Sequence, residues 1–395
     1  MNSDPIVIAG AARTPMGGLG GELGTVSAPE LGSVAIAEAI TRAKITGDDV
    51  DDVVMGVVLP AGQGQAPARQ ASIGAGIPAY TGATTINKMC GSGMKSIMFA
   101  CDNILAGSHN VMVAGGMESM TNAPYLLPNV RGGMRMGHGE VKDHMFTDGL
   151  EDAFEKGTLM GVYAEATAQH YQFTREAQDD FALRSLKRAK IAIDDGTFEK
   201  EIAPVTVKTR KGDTVINIDE QPGNASPEKI PTLRPAFAKD GSVTAANSSS
   251  ISDGAAALIL MRKSEAEKRK LSPLAIIQAH ASHAQEPQWF TTAPIGAINK
   301  VLKKTGWDKD EVDLYEINEA FAVVTMAAMH DLGLSAEKVN VHGGACALGH
   351  PVGASGARIL VTLLNALEKY DMRKGIASLC IGGGEATAIA VERVI

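Results

Sequence analysis

A cysteine flanked by small residues is the first candidate for chemistry in this chain. Cys90 stands in Asn87-Lys-Met-Cys-Gly-Ser-Gly93, directly before a stretch with helical periodicity that extends to about Leu105. Unpaired N–H groups and the positive end of the helix dipole stabilise a thiolate there, so we expect a lowered pKa for Cys90. The glycines let backbone amides approach a bound carbonyl oxygen. Cys90 is therefore a nucleophile or, like many free cysteines, a small core residue.

A histidine and a second cysteine lie in comparable surroundings. His350 lies between glycines and before a proline, which predicts a turn that presents its side chain to a cleft. As a base it could accept the proton of Cys90; a turn histidine held by hydrogen bonds is the alternative. Cys380 precedes Ile381-Gly-Gly-Gly384 at the end of an apolar strand. The chain can bend and expose amides there, although a core cysteine fits this position as well.

The remaining candidates favour structural roles. Asn318 lies where a strand passes into a helix, and we predict that it is the N-cap of that helix. Cys101 falls inside the helix after Cys90, and Cys346 lies close to His350; both are predicted to pack in the interior. The chain has no CxxC pair, HExxH helix, phosphate-loop motif or GxSxG elbow, so we predict no metal site.

The elements that position these residues recur along the chain. The segment from Ile40 to Val53 resembles the segment from Ile298 to Leu314 in its sequence of helix end, glycine, acidic turn and strand. The same offset places Cys90 within one residue of His350. Each of the two is followed by small residues, a helical pattern and an apolar strand that ends in glycine. A chance similarity of α/β units is the alternative, but we favour a duplicated domain whose equivalent turns face each other across one cleft.

Strands and helices alternate in both parts, which predicts parallel α/β units. An apolar strand from Pro5 to Gly10 precedes a helix that opens with the capping box Ser27-Ala-Pro-Glu30, and a strand from Val53 to Leu59 follows. Between the two parts the composition changes to charged helices, at roughly Gly161 to Ile193, and turns. We predict an N-terminal half at 1–120 plus 245–272, an inserted loop domain at 121–244 and a C-terminal half at 273–395.

Composition excludes several classes of protein. A count of 37 basic against 45 acidic residues gives a net charge of −8, which argues against binding to nucleic acid or anionic membranes. The chain has no apolar run of about 18 residues and begins without a basic, then apolar, leader. The four cysteines are too few and too scattered for a disulfide scaffold. A cytoplasmic protein is therefore expected.

Several motifs together make the chain similar to one known family. It resembles the thiolase family nearly end to end, in the family's own order of motifs. They are Arg13-Thr-Pro15, Asn87-Lys-Met-Cys-Gly-Ser-Gly93, Gly115-Gly-Met-Glu-Ser119, Asn318-Glu-Ala-Phe-Ala322, Gly343-Gly-Ala-Cys-Ala-Leu-Gly-His-Pro351 and Cys380-Ile-Gly-Gly-Gly384. The resemblance implies an α/β fold of five layers (αβαβα), built from two similar mixed-sheet halves with an inserted loop domain.

The resemblance also implies an activity and a set of catalytic residues. The activity is the reversible Claisen condensation of two acetyl-CoA to acetoacetyl-CoA and CoA, or the reverse thiolysis, through an acyl-Cys90 intermediate. His350 would accept the proton of Cys90, and Cys380 would be the second acid and base. Asn318 would hold a water that, with His350, stabilises the enolate oxygen. The amides of Cys90 and Gly382 would bind the oxyanion of the tetrahedral intermediate.

The same resemblance implies how coenzyme A is held. No cofactor would be bound permanently, because CoA and acetyl-CoA are substrates, and the chain would assemble as a homotetramer or homodimer. The residues implied to line the pantetheine tunnel are Leu150, Met160, Phe237, Ala246, Ser249, Ala320 and Phe321.

This sequence departs from the common family pattern at positions that affect substrate preference and CoA binding, not at the chemical residues. These are Leu159, where many members have histidine, Gln221-Pro-Gly-Asn224, which lacks a basic residue, Asn247-Ser-Ser-Ser250, Trp289-Phe290, His342 and Glu385. Two alternatives to the acetyl-CoA reaction follow. One is a 3-ketoacyl-CoA thiolase of fatty-acid breakdown with a longer chain range. The other is a non-catalytic acyl or lipid carrier, against which the retention of Cys90, His350, Cys380 and Asn318 argues. A ketoacyl synthase would need a second active-site histidine where Asn318 stands.

Overall fold

Apolar runs of the sequence form the strands of the protein, whose computed structural model describes residues 4–210 and 212–394. The first strand is buried along its whole length, and its residues alternate between two cores: Ile6 and Ile8 face one, Val7 and Ala9 the other. A strand that faces apolar layers on both sides needs this continuous hydrophobicity. The strands are β1 (Ile6–Arg13), β2 (Gly17–Gly18), β3 (Asp52–Gly56), β4 (Gly82–Ile86), β5 (Val111–Ser119), β6 (Tyr125–Leu126), β7 (Lys142–Asp143), β8 (Val205–Thr209), β9 (Gly212–Ile216), β10 (Ser252–Arg262), β11 (Ala275–Ala284), β12 (Leu314–Ile317), β13 (Lys374–Ile381) and β14 (Glu385–Arg393).

The first helix begins where the local capping signal predicts it. The predicted capping box is present, since Ser27 accepts from the Glu30 amide and the Glu30 carboxylate accepts from the Ser27 amide. The helices are α1 (Ala28–Arg42), α2 (Pro67–Gly74), α3 (Ser92–Ala106), α4 (Met160–Tyr171), α5 (Arg175–Asp194), α6 (Glu220–Asn224), α7 (Lys263–Lys268), α8 (Ala293–Thr305), α9 (Ala322–Leu332), α10 (Ala345–Leu348) and α11 (Ser355–Lys369). Among the described residues no helix is both long and apolar enough to cross a bilayer.

The main sheet has a repeated order of strands. Its path is β12-β13-β14-β11-β1-β10-β5-β3-β4, with β2 beside β10. The parallel pairs β12/β13 and β3/β5 occupy equivalent places in the two parts, and the antiparallel strands lie between them. The two parts meet at β1 and β11, through the pairs Val7 with Ile276 and Ile8 with Ala275. The two similar mixed-sheet halves are thus joined into one continuous sheet by the pairing of β1 with β11.

Helices cover both faces of each half. A central core contains α3 and α11 between the two halves of the sheet. One outer core lies under α1 and α2, and the other lies under α8 and α9. The result is five layers, so the predicted α/β class and layer order are confirmed. The predicted domain boundaries remain a prediction, and their residues 1–3, 211 and 395 lie outside the described residues.

The central helices pass close to each other because each has a glycine at the contact, Gly93 in α3 and Gly356 in α11. A Cβ on Gly93 would lie 2.9 Å from the carbonyl oxygen of Gly353, and one on Gly356 would lie 2.5 Å from the amide nitrogen of Met94. Only the absence of side chains permits this approach. Since α3 follows Cys90 and α11 follows His350, the contact places both N-termini at one point between the halves.

The predicted strand from Val53 to Leu59 is shorter than expected. It ends at Gly56, because the amides of Val58 and Leu59 donate to the buried carboxylate of Glu118 at 2.9 and 3.1 Å rather than to a neighbouring strand. The chain therefore turns away from the sheet there and forms part of the wall around Cys90.

The buried His342 should make the folded protein less stable in acid. Neither ring nitrogen has a hydrogen-bond partner among the described residues, and burial, with a smaller contribution from Lys369, lowers its pKa from 6.5 to about 4. Between these values the unfolded chain binds a proton that the folded protein does not bind, so the free energy of unfolding falls as the pH drops from 6.5 towards 4.

Replacing His342→Asn should remove this loss. We expect the wild type to lose about 2 kcal/mol more than the variant between pH 7.5 and pH 5, at about 1.4 kcal/mol for each pKa unit. Urea unfolding at the two pH values measures the difference, with the exposed His330→Asn as the control. Equal pH dependence of wild type and His342→Asn would contradict the assignment.

Candidate active site

One cavity of about 410 Å³ brings together residues of both halves and of the inserted segment. Cys90 and Gly382 lie in its wall with His350, so the two equivalent turns of the duplicated halves face one cleft, as predicted. The rest of the wall is largely apolar. Of the residues implied to contact pantetheine, six line this cavity: Leu150, Met160, Phe237, Ser249, Ala320 and Phe321.

The seventh of those residues, Ala246, lies elsewhere. It lines a neighbouring cavity of about 400 Å³, which shares Ala245 and Ser250 with the first. The second cavity also contains Cys346 and the exposed Lys229 in its wall. The two cavities therefore adjoin, with the cysteine nucleophile candidate in the first and a lysine at the second.

A tight turn presents Cys90 to the cavity. Met89 has the left-handed backbone angle φ +47°, a strained conformation for a side chain of this size. Hydrogen bonds stabilise it: the Asn87 side chain accepts from the Met89 amide at 2.8 Å, and the Ser92 hydroxyl donates to the Met89 carbonyl at 2.6 Å. The sulfur is thereby placed ahead of α3, partly exposed to the cavity.

The expected low pKa of the Cys90 thiol is wrong. Burial raises the pKa of Cys90, and the charge of Glu118 raises it further. The amides of Gly382 and of Cys90 itself act in the opposite direction by hydrogen bonding to the sulfur, but they do not outweigh desolvation. Cys90 is therefore a neutral thiol at rest, and it needs a base to become a nucleophile.

His350 is in the form that such a base requires. Ser355 has one hydroxyl hydrogen, which it donates to the Pro351 carbonyl at 2.9 Å. Its oxygen must then accept from Nδ1 of His350, 2.5 Å away. This assigns the proton to Nδ1 and leaves Nε2, which has no partner among the described residues, as an unprotonated acceptor.

The surroundings of His350 keep it neutral and fixed. Burial, with a smaller contribution from Arg358, lowers the pKa of His350 to about 3. Its amide donates to the Ser250 carbonyl at 3.1 Å and to the Ser252 hydroxyl at 3.2 Å. An imidazolium ion would thus form only while a negative charge develops next to it.

Cys380 and Gly382 lie on either side of a strand end. Cys380 is fully buried in β13 among the side chains of Phe290 and Phe321. Burial raises the pKa of Cys380 well above its ordinary value, and the charge of Cys90 raises it further. The two thiols are therefore close enough to repel each other as anions, although Cys380 is not one of the residues that line the cavity.

The predicted N-cap role of Asn318 is wrong. Helix α9 begins at Ala322, with Phe321 as its N-cap, because the residues between are held in extended form by the first half. The Ser249 amide donates to the Ala320 carbonyl at 2.9 Å, and the Ala322 amide donates to the Asn247 carbonyl at 2.8 Å. The side chain of Asn318 is thus free for another role.

Arg358 orients that side chain. Its Nη2 lies 3.4 Å from Oδ1 of Asn318, so the amide nitrogen Nδ2 must point the other way. That nitrogen is buried without a partner among the described residues. An unpaired buried donor of this kind is costly unless it serves a ligand or a water.

Three supporting residues escaped the sequence analysis: Ser355, Arg358 and Glu118. Glu118 accepts from the Gly353 amide at 2.8 Å as well as from Val58 and Leu59, and so it joins the two halves beside Cys90. Burial raises the pKa of Glu118 to about 7. Glu118 belongs to a quoted motif, and Ser355 and Arg358 lie within seven residues after another, but the partners of Glu118 and Arg358 are distant in sequence. Cys101 is buried in the core, as predicted, and the half-buried Cys346 lies outside the cavity of Cys90.

Comparisons with known proteins agree along the whole chain. The model of the thiolase N-terminal domain matches residues 6–264, and that of the thiolase C-terminal domain matches residues 271–393. An acetyl-CoA acetyltransferase of Cupriavidus necator is 48% identical over 390 residues, 98% of this chain and 99% of the relative. The cytosolic acetyl-CoA acetyltransferase of Mus musculus is 49% identical over 394 residues, 99% of each chain. Acetyl-CoA acetyltransferase 2 of Arabidopsis thaliana is 49% identical over 395 residues, 99% of this chain and 98% of the relative.

Proposed function

The chain belongs to the thiolase family, and on this premise we propose that it is an acetyl-CoA C-acetyltransferase. It catalyses the reversible condensation of two acetyl-CoA to acetoacetyl-CoA and CoA. One observation carries the proposal: Cys90 and the unprotonated Nε2 of His350 belong to one apolar cavity, where the amides of Cys90 and Gly382 are directed at the sulfur. This combination supplies a nucleophile, a base and an oxyanion site.

The first half-reaction transfers an acetyl group to Cys90. Its sulfur attacks the thioester carbon of acetyl-CoA while Nε2 of His350 takes the thiol proton. The amides of Cys90 and Gly382 stabilise the oxyanion of the tetrahedral intermediate. When that intermediate collapses, the bond to the CoA sulfur breaks, and His350 returns the proton to the departing CoA thiolate.

The second half-reaction forms the carbon–carbon bond. The thiolate form of Cys380 removes a proton from the methyl group of a second acetyl-CoA, and the enolate carbon attacks the acetyl carbon on Cys90. His350 and a water held by Nδ2 of Asn318 stabilise the enolate oxygen. The Cys90 thiolate then leaves, acetoacetyl-CoA is released, and the proton that Cys380 took from the methyl group passes to Cys90. Because both half-reactions use one site, the kinetics should be ping-pong.

The acyl-chain range distinguishes this activity from that of a longer-chain 3-ketoacyl-CoA thiolase of fatty-acid metabolism. The identity to acetyl-CoA acetyltransferases over whole chains supports the short chain. We expect kcat/KM for thiolysis to be higher for acetoacetyl-CoA than for 3-ketooctanoyl-CoA, measured at saturating CoA. A preference for the longer substrate would instead identify the protein as a longer-chain 3-ketoacyl-CoA thiolase. Normal binding of acyl-CoA without turnover would indicate a carrier.

The nucleotide of CoA is expected at the second cavity, because it adjoins the first along Ala245 and Ser250. The loop Gln221-Pro-Gly-Asn224 has no basic residue, but Lys229 lies in the same wall and forms no ion pair among the described residues. We expect Lys229→Ala to raise the KM for CoA about fivefold with kcat unchanged, since an exposed contact to phosphate contributes about 1 kcal/mol.

The control for Lys229 is Lys239→Ala, an exposed lysine of the same segment outside both cavities. Steady-state thiolysis with varied CoA measures both variants. An unchanged KM in Lys229→Ala, or an equal rise in Lys239→Ala, would place the nucleotide elsewhere.

Assembly and location complete the proposal. The protein is a cytoplasmic homotetramer or homodimer, takes acyl-CoA substrates and uses no permanently bound cofactor. The loop around Arg131–Arg135 supports assembly, since it exposes the apolar side chains of Val130, Met134 and Met136, which are typical of a contact surface. Sedimentation equilibrium tests the oligomeric state.

A further inference from the structure

An ion pair joins the two halves beside both catalytic cysteines. Nζ of Lys88 contacts Oε2 of Glu385, and the two side chains are 23% and 35% exposed. Lys88 lies two residues before Cys90, and Glu385 lies three residues after Gly382. The pair thus connects a residue of the Cys90 turn with one that follows the Gly382 turn.

In the N-terminal half, Lys88 is part of the turn that carries Cys90. Its amide donates to the Ser92 hydroxyl at 2.8 Å, and its carbonyl accepts from the Gly91 amide at 3.1 Å. These bonds close the turn around Cys90 at the start of α3. A change in the position of the Lys88 side chain therefore changes the position of the Cys90 backbone.

On the other side, Glu385 is fixed in the sheet. It pairs with Ile381 across the β13–β14 hairpin and with Ala284 of β11. The hairpin turn passes through Gly383 and Gly384, which have φ angles of +90° and +86°. Glycine adopts such angles without strain. Gly382 lies in this turn, so Glu385 fixes the position from which the Gly382 amide points into the cavity.

The two turns also touch directly. A Cβ on Gly91 would lie 2.3 Å from Cδ1 of Ile381. The oxyanion site needs one amide from each turn, those of Cys90 and Gly382, and both are directed at the Cys90 sulfur. Because the amides belong to different halves of the chain, only contacts between the halves can set their spacing.

We propose that Lys88 and Glu385 are positioning residues whose ion pair fixes the spacing of the Cys90 and Gly382 amides. The inference rests on the proposed function and deepens it. The van der Waals contact of Gly91 and Ile381 limits how close the turns come, and the ion pair limits how far apart they move. Donors that are displaced from the developing oxyanion stabilise it less, so breaking the pair should slow the chemical step.

The test uses Glu385→Gln, Lys88→Met and the reversed pair Lys88→Glu/Glu385→Lys. For thiolysis of acetoacetyl-CoA we expect kcat to fall about 3- to 10-fold in each single variant, less than the loss of a whole oxyanion donor. The KM for both substrates should stay within about twofold, since CoA contacts other elements. The reversed pair should recover most of the lost kcat. Alkylation of Cys90 by iodoacetamide should slow as well in the single variants, because displaced amides stabilise the Cys90 thiolate less.

Glu311→Gln is the matched control. Glu311 pairs with Lys374 at 3.5 Å at the opposite end of β13, with comparable exposure of the lysine, and its loss should leave kcat unchanged. Wild-type kcat in Glu385→Gln, a reversed pair as slow as the single variants, or an equal loss in Glu311→Gln would overturn the inference. An active wild type separates these outcomes from failure of the proposed function, whereas a wild type without thiolysis would overturn both.

Discussion

Thiolysis of acetoacetyl-CoA is expected to stop in Cys90→Ala, with kcat lower by about 10⁴-fold or more. The reason is chemical, since Cys90 is the one cysteine among the described residues that line the cavity, and its sulfur is the atom that accepts the acyl group. The oxyanion amides and His350 remain in place, but they have no sulfur to activate. The effect is measured as the rate at which acetoacetyl-CoA is cleaved by CoA, which is monitored by the loss of the 3-ketoacyl-thioester absorbance.

The raised pKa of the Cys90 thiol sharpens this prediction. A neutral thiol at rest should react slowly with iodoacetamide in the free enzyme, despite its partial exposure, because the thiolate is the reactive form. Cys101→Ala is the control, since it removes a buried sulfur from the helix that follows Cys90 without touching the cavity. Normal turnover by Cys90→Ala would contradict the whole mechanism.

The second large effect is expected in Cys380→Ala, which should separate the two half-reactions. Condensation and thiolysis should both fall by about 10³-fold or more, within the contribution of a general acid and base to such steps. Acylation of Cys90 by acetyl-CoA should persist, because it needs only Cys90, His350 and the oxyanion amides. One equivalent of CoA should appear in a rapid-quench burst.

The physical reason lies in the raised pKa of Cys380. A thiol with a high pKa remains protonated at neutral pH and can donate to the enolate during thiolysis. Its thiolate is correspondingly a strong base, which the weakly acidic methyl group of acetyl-CoA requires in condensation. Exchange of those methyl protons with deuterium from solvent should therefore vanish in the variant. Retained exchange, or a missing burst, would assign the second acid and base to another residue.

Much of the fold was predictable because local patterns encode it. Apolar strands, the capping box at Ser27 and the repeated order of elements predicted an α/β protein with two equivalent halves. The repeat also predicted that Cys90 and His350 face one cleft, since equivalent turns in a duplicated fold lie at equivalent places. The constant offset between the two repeated segments thus predicted that Cys90 and His350 are close in space.

The roles of single residues depended on partners that no local pattern reveals. Asn318 had the sequence of an N-cap, yet extended pairing with Asn247–Ser249 delays the helix to Ala322. The orientation of the Asn318 amide depends on Arg358. The proton position on His350 depends on Ser355, which is near in sequence but meets the ring only because α11 begins there.

The chemistry therefore divides between the two levels of structure. By itself the sequence determined which residue types stand at the turns, the order of the elements and the family, because these are properties of neighbouring residues and of repeats. Only the tertiary structure decided how those residues behave. It buries Cys90 so that desolvation outweighs the helix dipole and raises its pKa, and it brings Lys88 to Glu385 across the two halves, because burial and distant charges are fixed only when the whole chain packs.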